Sequence, residues 1–395
     1  MTEKFRENRR PLLSVIVPVY NGAAWLRETL ESIRNSRYEN LELLLIDDGS
    51  ADGSGEICRE YERKDPRVRY IRKENGGIVS ARNLGLDAAG GTYLCFCDQD
   101  DEVDERMYDI LIRRMEEAEA QIGVCSTGRR INGEKSRYES VTDGCFHGEA
   151  VLEAVLYPIL FRGYEFSFYK REHYLYGTLW KCVFRRDFLK AHGMRFRSFV
   201  DYEDDWLFVT EALCHAGTVV TAGRIGYYWT VNETSRSHKR RFIPDLGERF
   251  GRQDAYVMGY LERRISDRGI LDSYRKIRMC EHYVEALQNE PDSGPEKRAY
   301  RRKVRTYLES SRYREQMSCL RHLGKHAYRR RLVCDALQST GIGGASLVSR
   351  LLNAGEAAAV RIRWLAQLER RGKIGRKMRD SGRNTDEIDY SDSVL

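Results

Sequence analysis

Residues 93–101 read YLCFCDQDD, so the chain passes from Tyr93-Leu94-Cys95-Phe96-Cys97 straight into Asp98-Gln99-Asp100-Asp101. The apolar half suits a buried strand. The acidic half sets three carboxylates within four positions, and Glu102 and Asp104 follow closely. Carboxylates this crowded repel one another unless a positive charge sits among them. One reading supplies a hard divalent cation, because Asp98 and Asp100 fall on one side of an extended backbone and Mg²⁺ commonly takes only one or two protein carboxylates. The other reading is an acidic turn leading into a helix, whose first turn favours negative charge.

Upstream, strands and helices alternate. Leu12 to Val19 is an apolar, β-branched strand, and Trp25 to Ser36 places Leu26, Leu30 and Ile33 on one helical face. Leu41 to Ile46 is a second strand ending in Asp47-Asp48-Gly49-Ser50. A helix over Gly53 to Arg63, a short strand over Val68 to Arg72 and a helix over Ile78 to Ala89 lead to the strand Thr92 to Cys97. This alternation predicts an α/β fold with a mostly parallel sheet flanked by helices. Ligands of such sheets bind beyond the carboxyl ends of the strands. Pro18, Tyr20 and Asn21, then Asp47 and Asp48, then DQDD all fall on that rim. Gly76-Gly77 allows close backbone approach to a ligand. Arg82, in the helix that follows, offers a fork for phosphate oxygens, although helical arginines are commonly just solvated.

Downstream, Met107 to Ala120 reads as a helix, and the pattern loosens from Gly123 to Gly177, which includes the aromatic stretch FRGYEFSFYKREHYLYG. Phe184 to His192 and Asp204 to Ala216 read as helical, and TVVTAGRIGYYWT as strand, turn and strand. After Phe242 the chain is helical and basic, with NEPDSGPE as a linker near residue 290.

Across 395 residues the net charge is +7, unevenly spread. From Arg241 onward there are 32 Lys+Arg against 21 Asp+Glu, whereas the first 240 residues hold 35 against 39. That split predicts two regions with different roles. Ten cysteines without a CxxC spacing read as buried reduced thiols. No apolar run approaches the roughly 18 residues that a membrane-spanning helix needs, and the N-terminus has no secretory pattern. The expected location is cytoplasmic.

The segments LLSVIVPVYN, LELLLIDDGSADGSGEIC and KENGGIVSARNLGLDAAGGTYLCFCDQDD, followed later by LWKCVFRRDFL and YEDDWLF, occur in one order. Together they resemble the family 2 glycosyltransferases with the GT-A fold, over residues 11 to about 110 and again near those later motifs. The resemblance implies a nucleoside-diphosphate sugar donor, commonly a UDP-sugar, with Mg²⁺ or Mn²⁺ as cofactor. It puts Pro18 and Asp48 by the uracil and ribose with Asp47 beside them, and Tyr20, Asn21, Gly77 and Arg82 on the same donor rim. Asp98 and Asp100 become the metal and donor carboxylates (the DXD pattern), with Asp101 flanking. Arg236 and His238 fall where the family closes a loop over the diphosphate, and Trp180 and Lys181 where it borders the acceptor. The catalytic base comes from the acidic run Glu203-Asp204-Asp205: the family's acid-Asp-x-x-aromatic spacing selects Asp205, and a literal Glu-Asp selects Asp204. Direct attack on the donor's anomeric carbon would invert it.

The implied acceptor is a glycan or lipid-linked glycan, in bacterial surface-polysaccharide synthesis. The expected organisation is a GT-A domain over 1–240, a basic helical region over 241–380 and a disordered tail over 381–395. The basic helices suit peripheral contact with anionic lipid at the inner membrane face, and equally a solvated bundle or dimer interface. No recognition motif for nucleic acid is present. Two rival functions are a sugar nucleotidyltransferase, whose glycine-rich, lysine-ended loop VPVYNGAAW lacks, and a non-catalytic sugar-nucleotide-binding scaffold, against which the intact acidic residues argue.

Overall fold

The computed structural model describes residues 10–162, 175–200, 202–231 and 242–289, with residues 297–299, 302 and 306 beyond them. The first four strands are β1 (Leu13–Val19), β2 (Leu41–Asp47), β3 (Val68–Arg72) and β4 (Tyr93–Phe96). They lie in the order β3-β2-β1-β4, all parallel, with Leu13 opposite both Leu41 and Tyr93. Between them run α1 (Leu26–Arg34), α2 (Ser54–Lys64) and α3 (Ile78–Ala88). The sheet is buried on both faces, and its side chains alternate between two cores as a period of two requires. Leu13, Val15, Val17 and Val19 pack with Leu26, Leu30 and Ile33 of α1 on one side. Ile16, Leu44, Ile46, Leu94 and Phe96 face the other.

Beyond β4 the sheet becomes mixed. A short β5 (Glu102–Val103) and helix α4 (Met107–Glu117) lead into β6 (Ile122–Ile131), β7 (Glu134–Glu139) and β8 (Gly144–His147). The looseness read over 123–177 therefore contains three strands and a helical segment over residues 149–160. Strand β7 escaped notice because the first four residues of EKSRYE are exposed and the segment carries no apolar alternation. The segment read as a helix from Phe184 instead starts with β9 (Cys182–Arg185), antiparallel to both β4 and β6, and turns into α5 at Arg186–Ala191. Four apolar-rich residues are too few for periodicity to separate strand from helix. TVVTAGRIGYYWT is one strand, β10 (Thr218–Thr230), parallel to β6, with register shifts between Ala222 and Tyr227 where a turn was expected. Extra residues on β10 there are taken up as bulges that do not end the strand.

Helix α6 (Asp204–His215) is followed after β10 by α7 (Leu246–Arg264) and α8 (Arg268–Gln288). Val257, Leu261, Leu271, Tyr274 and Ile277 of α7 and α8 share one buried cluster with Ile16, Phe96 and Phe208. The core thus runs without a break past residue 240. Of the seven cysteines described as free, six are buried and only Cys145 is exposed. Most of the aromatic stretch 161–177, NEPDSGPE beyond Asn289, and the tail lie outside the described residues. No helix among the described residues is long and apolar enough to cross a membrane.

Helix α3 lies so close to β1 that a β-carbon on Gly85 would meet Ile16 Cγ2 at 2.3 Å. Gly85→Ala should therefore destabilise the fold by about 1–3 kcal/mol through overpacking, although alanine favours a helix over glycine by about 1 kcal/mol. A denaturant melt showing stabilisation would contradict this close contact.

Candidate active site

Three loops at the carboxyl ends of β1, β2 and β4 form one rim. The β1 loop is held by its neighbours: Asn21 N–H donates to Ser50 Oγ at 3.1 Å, and Gly22 N–H donates to Ser54 Oγ at 2.9 Å. Asn21 has φ +49° and accepts from Ala51 N–H at 2.9 Å. Tyr20 is exposed, and its N–H donates to Gln99 Oε1 at 2.8 Å while Gln99 Nε2 donates back to the Tyr20 carbonyl at 3.0 Å. Gln99, the middle residue of DQD, thus joins the β4 loop to the β1 loop, a role that no sequence pattern announces. Pro18 is buried within β1, opposite Ile46.

The two acids of DDGS turn away from solvent. Asp47 is fully buried, accepting from Ser50 N–H at 2.8 Å and from the Tyr70 hydroxyl at 2.7 Å. It caps the turn beneath the rim. Asp48 is 4% exposed and pairs with Lys73 Nζ at 2.5 Å. Its oxygens also accept from Gly76 N–H at 2.9 Å and Gly77 N–H at 2.8 Å. The Gly76-Gly77 amides expected to meet a ligand are therefore directed at Asp48.

Arg82 lies between the rim and the acidic helix start. It is 5% exposed, and its guanidinium donates to Asp204 Oδ2 at 2.5 Å and to Asp98 Oδ1 at 3.2 Å. Burial alone would favour losing its proton, but Asp204, Asp98 and Asp205 more than offset that and raise its pKa further. Phe196 lies under it, with the guanidinium carbon 5.5 Å from the ring centroid. Read from sequence as a phosphate partner or a solvated residue, Arg82 is the internal counter-ion of two acidic motifs.

Within DQDD the acids have different surroundings. Asp98 and Asp100 are partly exposed. Asp101 is buried and accepts from the Tyr227 hydroxyl at 2.8 Å and from Thr230 N–H at 2.7 Å. Burial first, then Asp98 and Asp100, hold its carboxyl well above the ordinary range. Tyr227 also accepts from Asp98 N–H at 3.1 Å and stacks on the buried ring of Trp180 at 4.4 Å. That stacking commits Trp180 to the core. Lys181 is equally buried and pairs with Glu139. No cluster of three or more His, Cys, Asp or Glu side chains suited to a metal ion exists among the described residues. Asp98 and Asp100 nevertheless fit a cation of the Mg²⁺ kind, which uses few protein carboxylates and completes its shell with water and phosphate oxygen.

The second acidic motif starts α6. Glu203 has φ +68°, an uncommon conformation for a residue with a β-carbon. Asp204 is buried against Arg82, whereas Asp205 is partly exposed and accepts from Trp206 N–H at 2.8 Å. Burial pushes the Asp205 carboxyl up to about 7; Arg82 works against the rise, and Asp204 and Asp98 add to it. Arg236 and His238 lie outside the described residues.

Residues 14–193 match the family described as Glycosyl transferase family 2. Glycosyltransferase GlyA of Streptococcus pneumoniae is 43% identical over 112 residues, which are 28% of this chain and 16% of GlyA. The chain thus spans about a sixth of that relative. The uncharacterized glycosyltransferase YibD of Escherichia coli is 27% identical over 289 residues, 71% of this chain and 80% of YibD. Among solved structures, S. aureus TarS 1-349 in complex with UDP-GlcNAc superposes with a TM-score of 0.59 at 16% identity, covering 87% of this chain and 92% of that one. That likeness is one of fold.

The raised pKa of Asp205 has a consequence for stability. Its folded value near 7 lies above the ordinary 3.8, so the unfolded chain loses this proton first as pH rises. Stability is lost progressively between about pH 4 and pH 7. Asp205→Asn lacks that loss, so its melting temperature relative to wild type should climb from pH 5 to pH 7.5. A difference that stays flat over this interval would contradict the assignment.

Proposed function

We propose that this chain, whose residues 14–193 belong to the glycosyl transferase family 2, moves a sugar from a nucleoside diphosphate to an acceptor hydroxyl with inversion. The observation that carries this reading is the Arg82 bridge. A single guanidinium reaches both Asp98, at the strand end where ligands of open α/β sheets bind, and Asp204, at the start of α6. The two acidic motifs are thereby linked through one side chain, which supports reading them as a single site. The reading is further supported by the UDP-GlcNAc bound to a protein of the same fold, and a UDP-sugar is the proposed donor. Glycan or lipid-linked glycan acceptors of surface-polysaccharide synthesis are proposed on the family's account.

Asp205 is assigned as the general base. The residue is partly exposed and its carboxyl is pushed up to about 7, which suits a group that must accept a proton at working pH. In the step, the acceptor oxygen forms a bond to the anomeric carbon while the bond from that carbon to the diphosphate oxygen breaks. The diphosphate leaves with the electron pair, and the hydroxyl proton passes to Asp205. Arg82 pairs with Asp204 beside the base and orients the start of α6. Tyr20 and Asn21 present the exposed edge of the rim, with Gln99 holding the loop that carries them. A divalent cation held by Asp98 and Asp100 would neutralise charge developing on the leaving diphosphate. Asp204 is the second reading for the base, favoured by its link through one guanidinium to Asp98.

Calorimetry with UDP-, GDP- and dTDP-sugars, each with Mn²⁺ and with EDTA, tests the donor site. One donor should bind in a metal-dependent way, and Asp100→Ala should abolish that binding; no metal-dependent binding to any donor would overturn the reading. Asp205→Asn should lower kcat by roughly 10²–10⁴-fold and leave donor affinity within about twofold. A larger loss in Asp204→Asn than in Asp205→Asn would transfer the role to Asp204. For wild type, kcat/KM should fall about tenfold per pH unit below about pH 7, as the base becomes protonated. Burial raises that midpoint most; Arg82 and the Trp206 amide oppose the rise, and Asp204 and Asp98 add to it.

A further inference from the structure

Helix α8 contributes a second buried arginine to the acidic motif, one that contacts different residues of it from Arg82. Arg278 is 6% exposed, and its guanidinium donates to Glu203 Oε2 at 2.9 Å and to Glu281 Oε2 at 3.2 Å, with Asp254 Oδ1 at 3.6 Å. The same guanidinium lies over the ring of Trp206, 4.5 Å from its centroid. From α7, Gln253 Nε2 donates to the same Glu203 oxygen at 2.5 Å. Two buried side chains from the region beyond residue 240 therefore converge on one carboxylate, in the one residue of the acidic run that is left-handed. Trp206 and Glu203 flank Asp204 and Asp205 on either side, so Arg278 grips both ends of the dipeptide that contains the base.

We infer that Arg278 is a positioning residue for the base, acting through Glu203 and Trp206 without touching substrate. The inference rests on the proposed reaction and extends it to a helix outside the matched family segment. Glu203 accepts the first helical hydrogen bond, from Leu207 N–H at 3.0 Å. In a left-handed residue the β-carbon crowds the following carbonyl oxygen, so this conformation needs support from outside the helix. A charge-assisted contact to a buried arginine gives that support, and stacking of the guanidinium fixes the plane of Trp206. Lysine would restore the charge at position 278 without the planar fork or the stacking.

The test uses the full-length chain and the variants Arg278→Gln, Arg278→Lys, Glu203→Gln and the double variant Arg278→Gln/Glu203→Gln. In folded protein, each single glutamine variant should lower kcat by roughly tenfold or more, with the donor KM unchanged within about twofold. Arg278→Lys should rescue only part of the loss. The double variant should be no worse than the more damaged single variant, because both changes cut one link. Additive losses, an unchanged kcat, or a loss confined to KM would overturn the inference. Should Arg278→Gln fail to fold, Glu203→Gln and Arg278→Lys carry the test from the two ends of the link. Hydrogen exchange across residues 204–208 gives a readout independent of turnover. Protection there should fall in Arg278→Gln, and retained protection would overturn the link. If wild type were inert with every nucleotide sugar, the proposed reaction would have failed, and the exchange arm alone would still decide whether Arg278 holds the start of α6.

Discussion

The buried guanidinium of Arg82 is the interaction around which the site is arranged. Acids crowd the end of β4 and the start of α6, and neither motif could be brought against the other without a cation between them. Arg82 supplies that cation from α3, whose close seat on β1 is permitted by the missing side chain at Gly85. Removing one partner from such a buried group costs about 3–5 kcal/mol, because a desolvated charge is left behind. The arginine is thus as much a part of the fold as of the chemistry. Any cation or phosphate arriving at Asp98 does so in a field that Arg82 has already set.

The first hundred residues were legible because their strands are buried on both faces. Runs such as LLSVIVPV and LELLLI admit few alternatives, and turn residues mark where each stops. Legibility declined where composition ceased to follow position. Strand β7 opens with four exposed residues, β9 is four residues long, and β10 carries its glycines at a bulge rather than at a turn. Each is specified by partners distant in sequence, as when β9 pairs with both β4 and β6.

The site divides the same way. The rim's location followed from strand ends, but the direction of each side chain did not. Asp47 and Asp48 read as ligand groups because acids after a strand commonly are; their neighbours Ser50, Tyr70, Lys73 and Gly77 turn them inward. Arg82 carried no signal of burial, since its counter-ions lie 16 and 122 residues away. Gln99 occupies a position that the DXD pattern leaves open, yet it joins two loops. The acidic run could be seen, but its support from Gln253 and Arg278 could not, because a solvated basic helix and one that buries a single arginine read alike.

Glu203 and Arg278 are 75 residues apart, and that spacing bears on how the protein is made. Synthesis proceeds at roughly 5–20 residues per second, so about 4–15 s separate the emergence of the two partners. In that interval strands β1 to β4 and Arg82 are already available, while the left-handed turn before α6 has no brace. A nascent chain therefore acquires the rim at the ends of β1, β2 and β4 first and the bracing of its acidic helix last. The order of translation keeps the site incomplete until α8 has left the ribosome and docked.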